Sequence, residues 1–270
     1  MKKTILFLYI CSAMISSVFA QSNIRIVSLA PSLTQSLYFL EAQNKLVGCT
    51  SYCVDGVKDG KEIVASAVTV NLEKVVALKP DIVLASQLTT PDNIATLRRF
   101  GIQVEVFQSP KSFAEICEQF IRLGALVGEE ARAEYIVNES RQRVEAVSAK
   151  MNWRTTPKMF FQIGANPIFT VIPNTFMNDY ITLLGAENIA KNFRRGTISR
   201  EFVIAQNPDY IFVVTMGIVG EEEKNMWGRY PSLSATRNRQ IFIIDSDIAC
   251  QPTPVTFAQT MEILHKLITQ

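Results

Sequence analysis

The sequence predicts an α/β protein: two homologous α/β lobes with central, mostly parallel sheets, joined by one long backbone helix. Three observations predict this. Short apolar runs alternate with helix-period segments, the pattern of strands fed by helical crossovers. Residues 71–85 (NLEKVVALKPDIVLA) recur as 199–213 (SREFVIAQNPDYIFV) at a constant offset of 128 positions. Between the two halves, residues 129–151 run without Gly or Pro. The chain of 270 residues is 48% hydrophobic and 19% charged, so it can bury a core and is not disordered.

In chain order, Arg25–Leu29 reads as a strand, and Pro31 and Ser32 open a helix through Leu40. Leu46–Thr50 is a second strand. Asn71 caps a short helix, LEKVVALK, which Pro80 ends before the strand DIVLAS. Pro91 opens a helix to Phe100, Gly101 caps it, and Ile102–Phe107 is the next strand. In 129–151, Ala133, Val137, Ser140, Val144, Val147 and Met151 form one narrow stripe on an otherwise polar helix. At 1.5 Å per residue it spans about 35 Å, enough to lie along two lobes. After Pro157 the alternation restarts with the strand Lys158–Ile163 and a helix through Met177–Leu184. Ser199 caps a short helix that Pro208 ends, DYIFVVTM and Arg239–Ile244 are strands, and Thr256–Ile268 is the final helix.

The repeat matches position by position. Asn71 falls on Ser199, both helix caps; Glu73 falls on Glu201, Val75 on Val203, and Pro80-Asp81 on Pro208-Asp209. Cap, acid, apolar pair and Pro-Asp stop all agree, which two unrelated helices would rarely produce. The expected organisation is an export signal over 1–20, an N-terminal lobe over 21–128, a bridging helix over 129–152 and a C-terminal lobe over 153–270.

The export signal rests on Lys2 and Lys3, the apolar run Ile5–Phe19, and small residues at Val18-Phe19-Ala20 for cleavage after Ala20. The run is too short for a comfortable membrane span, so the product is expected to be exported and soluble. Without those two lysines the chain carries 25 acidic residues against an equal number of basic ones. No surplus remains to neutralise a phosphate backbone, which argues against nucleic acid. The single histidine, His265, lies near the end of the terminal helix and cannot supply a multi-imidazole metal site or a plausible catalytic triad. Gly48, Gly56 and Gly60 lack GxGxxG spacing, so no phosphate loop is present. The chain is read as a binding protein and not an enzyme.

Export also sets the redox context for Cys49, Cys53, Cys117 and Cys250, whose pairing the sequence does not choose. Cys117 sits on the apolar side of its helix with Phe113, Phe120 and Ile121 and reads as a buried small hydrophobe. If Cys49–Cys53 is extended, its ends stand roughly 13 Å apart, too far to bond each other.

VSLAPSLTQSLYFLEAQNKLVG, NLEKVVALKPDIVLAS, FQIGANPIFT, LLGAENIA and ISREFVIAQNPDYIFV resemble the helical-backbone periplasmic binding proteins of ABC importers, over essentially all of 24–270. In motif the chain is closest to the cobalamin-binding members. That resemblance implies two α/β lobes bridged by one helix. It also implies a cleft that captures a metal chelate (a ferric siderophore, haem or a cobalamin-type corrinoid) and delivery to a membrane permease. It places Tyr52, Phe169, Asp247 and Gln251 on cleft loops, with Arg195 beside Arg194 near the cleft, suited to an anionic partner. The several cleft tryptophans of the cobalamin-binding members have no counterpart; Ala67, Ser86 and Arg195 stand at the matching positions. Glu73 and Glu201 fall where the family carries one permease-docking glutamate per lobe, although an acid there also complements a helix dipole. Cys53 and Cys250 fall on opposing cleft loops. An alternative reading is a receptor for a bare metal ion held by these cysteines with carboxylates, and a disulfide between them would tie the lobes. A non-transport interaction module is the competing class. The protein is expected to be a monomer.

Overall fold

A computed structural model describes residues 24–66, 69–214 and 220–270. The expected export segment and Ala67 lie outside them. The N-terminal lobe runs β1 (Ile26–Ser28), α1 (Pro31–Phe39), β2 (Leu46–Thr50), α2 (Val54–Lys58), β3 (Glu62–Ala65), α3 (Leu72–Ala77), β4 (Ile82–Ser86), α4 (Pro91–Arg99), β5 (Gln103–Phe107) and α5 (Phe113–Val127). Its strands form one parallel sheet, ordered β3-β2-β1-β4-β5. Strand order reverses between β1 and β4, which opens a crevice at their carboxyl ends.

The long helix α6 (Glu130–Lys150) follows. The C-terminal lobe runs β6 (Lys158–Ala165), β7 (Ile168–Thr170), α7 (Phe176–Leu183), β8 (Glu187–Asn188), α8 (Arg200–Gln206), β9 (Tyr210–Val214), α9 (Gly220–Gly228), α10 (Ser234–Arg237), β10 (Ile241–Ile244), α11 (Ser246–Ala249) and α12 (Pro254–Thr269). Its sheet is ordered β10-β9-β6-β7 with β8 beside β6, and only β7 is antiparallel. The two sheets share no strand. Strands β3 and β7 and helix α2 were not foreseen: each is short, and neither alternation nor helical period develops over so few residues.

The sequence repeat survives as a repeated set of hydrogen bonds. Asn71 Oδ1 accepts from the Lys74 N–H at 2.9 Å, and Ser199 Oγ accepts from the Phe202 N–H at 3.2 Å. The residue before each proline, Lys79 or Asn207, turns left-handed, with φ of 47° and 49°. Each Pro-Asp aspartate then accepts from a backbone N–H at the start of the neighbouring strand, Asp81 from Arg25 at 2.7 Å and Asp209 from Lys158 at 2.8 Å. Arg25 and Lys158 also donate their side chains to equivalent helix-end carbonyls, Leu78 and Gln206. Cap, reversal and strand start thus form one unit, used once per lobe.

The stripe of α6 is buried as its spacing predicts, at Ala133, Val137, Ser140, Val144 and Val147. It packs against α5 of one lobe and α12 of the other. One apolar cluster runs continuously from Leu37 and Phe120 through Val137 to Phe212 and Phe257. Phe113 stacks on Phe257 with centroids 4.4 Å apart, and the Phe113 N–H donates to Asp179 Oδ2 at 2.8 Å. The lobes are fused along one side. Among the described residues no helix is long and apolar enough to cross a membrane.

Candidate ligand cleft

In a parallel sheet every strand delivers its next residue to the same edge, and the carboxyl edges of the two sheets face the unfused side. After β1 the chain enters α1 with Pro31 in its first turn, after β2 it turns through Ser51 and Tyr52, and after β10 it enters α11. These three exits enclose a hollow of about 460 Å³, lined by Pro31, Thr34, Gln35, Tyr52, Cys53, Val54 and Asp55 from one lobe and Asp247 and Gln251 from the other. On the other flank of α1 a second hollow, about 500 Å³, is lined by Ser32, Leu33, Ser36, Ser86, Phe107 and Phe120, with Pro252 from the far lobe.

Of the residues read from the sequence, Tyr52, Asp247 and Gln251 come together across this hollow. Tyr52 is 61% exposed, an aromatic face without a neighbour to cover it. Phe169 and Arg195 sit apart from them, lining neither hollow. Phe169, 44% exposed, pairs with Gly164 across β6–β7 and bridges to Thr197. Its ring rests on Gly196, where an added Cβ would lie 2.6 Å from ring carbons, so only glycine fits there. Three strand spacings, about 14 Å, separate this ring from the β10 exit. Arg194 and Arg195 precede Gly196, exposed, with no hydrogen-bond or ion-pair partner among the described residues.

Glu73 and Glu201 are both exposed, each at the second position of its helix. Helix α3 starts at the carboxyl end of β3, and the approach to α8 hydrogen-bonds to β7 through Ile198. Both acids therefore stand on the cleft side of their lobes. The Glu201 backbone N–H and the Ser199 hydroxyl hold its carboxyl below the usual glutamate range.

The cysteines correct one expectation. The segment between Cys49 and Cys53 is not extended: the Cys53 N–H donates to the Thr50 carbonyl at 3.1 Å, closing a turn. The Cys53 sulfur takes a hydrogen bond from Thr34 Oγ1 at 3.0 Å and lies 3.2 Å from Thr50 Oγ1. Turn formation wins because β2 ends at the sheet edge, where no neighbouring strand holds the chain straight. All four described cysteines are free, and Cys117 is buried as its helix position predicts. Cys250 is half-buried and outside both hollows; burial, then Asp247 and Asp245, push its thiol up to about 12. Among the described residues no group of three or more His, Cys, Asp or Glu side chains is placed to hold a metal ion. The bare-metal alternative is therefore not favoured.

Sequence reasoning missed Thr34, Gln35 and Asp55. The only available signal was topological: α1 opens directly after a central strand, so its first turns must face the crevice. Gln35 Oε1 is buried without a hydrogen-bond partner, an acceptor turned into the fold beside the hollow.

Residues 26–248 match the family described as periplasmic binding protein. The chain belongs to that family. Within it, the chain is 28% identical over 241 residues to an uncharacterized ABC transporter substrate-binding lipoprotein, YvrC, of Bacillus subtilis, covering 85% of this chain and 75% of that one. It is 27% identical over 256 residues to the vitamin B12-binding protein of Vibrio cholerae, covering 93% and 90%. Among solved structures, the periplasmic vitamin B12 binding protein BtuF of Vibrio cholerae superposes with a TM-score of 0.74 at 26% identity, over 91% of this chain and 96% of that one. The periplasmic heme binding protein HutB of the same organism superposes with a TM-score of 0.82, over 92% and 100%. At 21% identity that likeness speaks for the fold alone. The two-lobed, helix-bridged α/β architecture is thus the periplasmic binding protein fold.

Proposed function

We propose that this protein is the substrate-binding component of an ABC importer. It captures a metal chelate (a ferric siderophore, haem or a cobalamin-type corrinoid) between its lobes and hands it to a membrane permease. The observation that carries this reading is the convergence of Tyr52 from one lobe with Asp247 and Gln251 from the other on a single hollow. Binding there touches both lobes at once. The names of relatives that bind vitamin B12 support the ligand class.

Large rigid complexes are held by aromatic faces and a few fixed polar groups in a preformed cleft. Tyr52 and Phe169 provide two exposed aromatic faces on opposite parts of the sheet edges. Asp247 and Gln251 provide acceptors and a donor, and Arg195, without a partner among the described residues, a cation for carboxylates or catecholate oxygens. No residue is assigned a catalytic role. Glu73 and Glu201, one per lobe and on the cleft side, are assigned to permease docking. The mature protein is exported after cleavage behind Ala20 and works as a monomer.

The test is an absorption spectrum of purified protein after separate exposure to haem, cobalamin and a ferric catecholate, followed by gel filtration. Each chromophore is distinct. One of the three co-elutes at about one equivalent, and Tyr52→Ala with Phe169→Ala weakens its binding by roughly tenfold or more. Retention of none of them overturns the chelate reading.

A further inference from the structure

The hollow beside Tyr52 has a sign. Two of its lining residues are acids, Asp55 at the second position of α2 and Asp247 at the second position of α11, one from each lobe. Among the described residues neither carboxylate has a hydrogen-bond or ion-pair partner, and Lys58, one turn along α2 from Asp55, forms no pair with it. No Lys, Arg or His side chain lines this hollow or the one on the other flank of α1. Residues 67–68 and 215–219, outside the described ones, include no charged residue. Arg194 and Arg195 belong to the β7 end of the sheet edge, about 14 Å from the β10 exit and beyond the roughly 8 Å over which exposed charges act at physiological salt. Helix-start acids ordinarily serve the helix, but α2 and α11 are each about one turn long. Asp245 already caps α11 by accepting the Asp247 N–H at 2.8 Å.

We infer that Asp55 and Asp247 set the charge class of the ligand. The hollow takes a chelate edge that is uncharged or cationic and carries N–H donors, such as carboxamides, and turns away an edge of carboxylates or catecholates. An ionised carboxylate only accepts hydrogen bonds. Two of them converging from opposite lobes favour an N–H-bearing group between them and repel an anion. Thr34 adds no donor, because its hydroxyl proton goes to the Cys53 sulfur at 3.0 Å. The remaining donors of the lining, the Tyr52 hydroxyl and the Gln35 and Gln251 amides, are neutral and do not offset two charges. Tyr52 offers a face to the flat part of the ligand while the two acids read its edge. This inference rests on the chelate reading of the cleft and narrows it.

The experiment compares three pairs of chelates on the full protein. The first is cobalamin against its derivative with the ring-edge carboxamides hydrolysed to carboxylates. The second is iron porphyrin as the dimethyl ester against the free diacid. The third is a ferric trihydroxamate bearing a free amine against a ferric tris-catecholate. Binding is read from the absorption spectrum after gel filtration, at low and at high salt. In the pair that binds, the uncharged or cationic member is expected to bind about tenfold tighter or more at low salt. Raising the salt improves the anionic member and narrows the gap. Asp55→Asn with Asp247→Asn removes most of the preference. Equal or tighter binding of the anionic member by the wild-type protein overturns the inference and leaves the chelate reading standing, and so does a preference that salt does not change. Retention of no member of any pair overturns both. The salt series on the wild-type protein decides the question even if the double variant fails to fold.

Discussion

Two acids recur at matched positions of the repeat, and the structure gives them different work. Asp81 and Asp209 bind the backbone where a neighbouring strand begins, so the fold itself requires them. Among the described residues Glu73 and Glu201 reach no other element, and Glu201 bonds within its own helix start. A helix-start acid can be supplied by several residues, which leaves the exposed pair available for contact with another protein. Replacing Glu73 and Glu201 together with alanine is expected to leave ligand binding nearly unchanged and to cut uptake into permease-bearing vesicles by roughly a hundredfold or more, since truncated interface ion pairs weaken docking steeply. Each single variant falls between. Normal uptake by the folded double variant returns both residues to helix-start acids. At this scale Tyr52, Asp247 and Gln251 were named from the sequence through resemblance. Thr34 and its hydrogen bond to Cys53 were not, because the short turn that carries Cys53 has no periodic signature.

Helix α6 shows where periodicity succeeds and where it stops. The stripe from Ala133 to Val147 was legible because burial on one face imposes the 3.6-residue period. Its partners were not legible, since a stripe does not say what covers it. The two helices approach closely at Gly124 of α5, where an added Cβ would lie 2.4 Å from Ala133 Cβ and 3.1 Å from the Glu129 carbonyl. Alanine in place of glycine within a helix ordinarily gains about 1 kcal/mol. Here the obstacle includes the Glu129 backbone at the start of α6, so overpacking prevails. Gly124→Ala is expected to destabilise the protein by about 1–3 kcal/mol, read as a lower urea midpoint at unchanged slope. A higher midpoint would show that α5 and α6 separate without loss.

Across the whole molecule the lobes share one apolar cluster along α5, α6 and α12 while the opposite side stays open as the cleft. The bidentate pair from Arg143 on α6 to Glu262 on α12, at 2.8 and 2.7 Å, adds a polar tie on the same side. Large closure needs a few residues able to change φ and ψ, and a continuous helix of 21 residues offers none. Ligand binding is therefore expected to change the radius of gyration by no more than roughly 1 Å in small-angle scattering. A clear contraction well beyond that would mean that the fused side yields.

The sequence alone determined the α/β class, the internal repeat, the strand-starting Pro-Asp units and the long bridging helix, because each leaves a local or periodic trace. It also placed one glutamate per lobe at matched helix starts. Tertiary structure decided which cleft candidates meet: Tyr52, Asp247 and Gln251 share a hollow, whereas Phe169 and Arg195 lie about three strands away along the edge. It also decided that Cys53 faces Thr34, a residue nineteen positions earlier on another element. Strand order and the turn after β2 set those distances. Both follow from how helices cover the sheets, a property of the assembled core that no short stretch of sequence encodes.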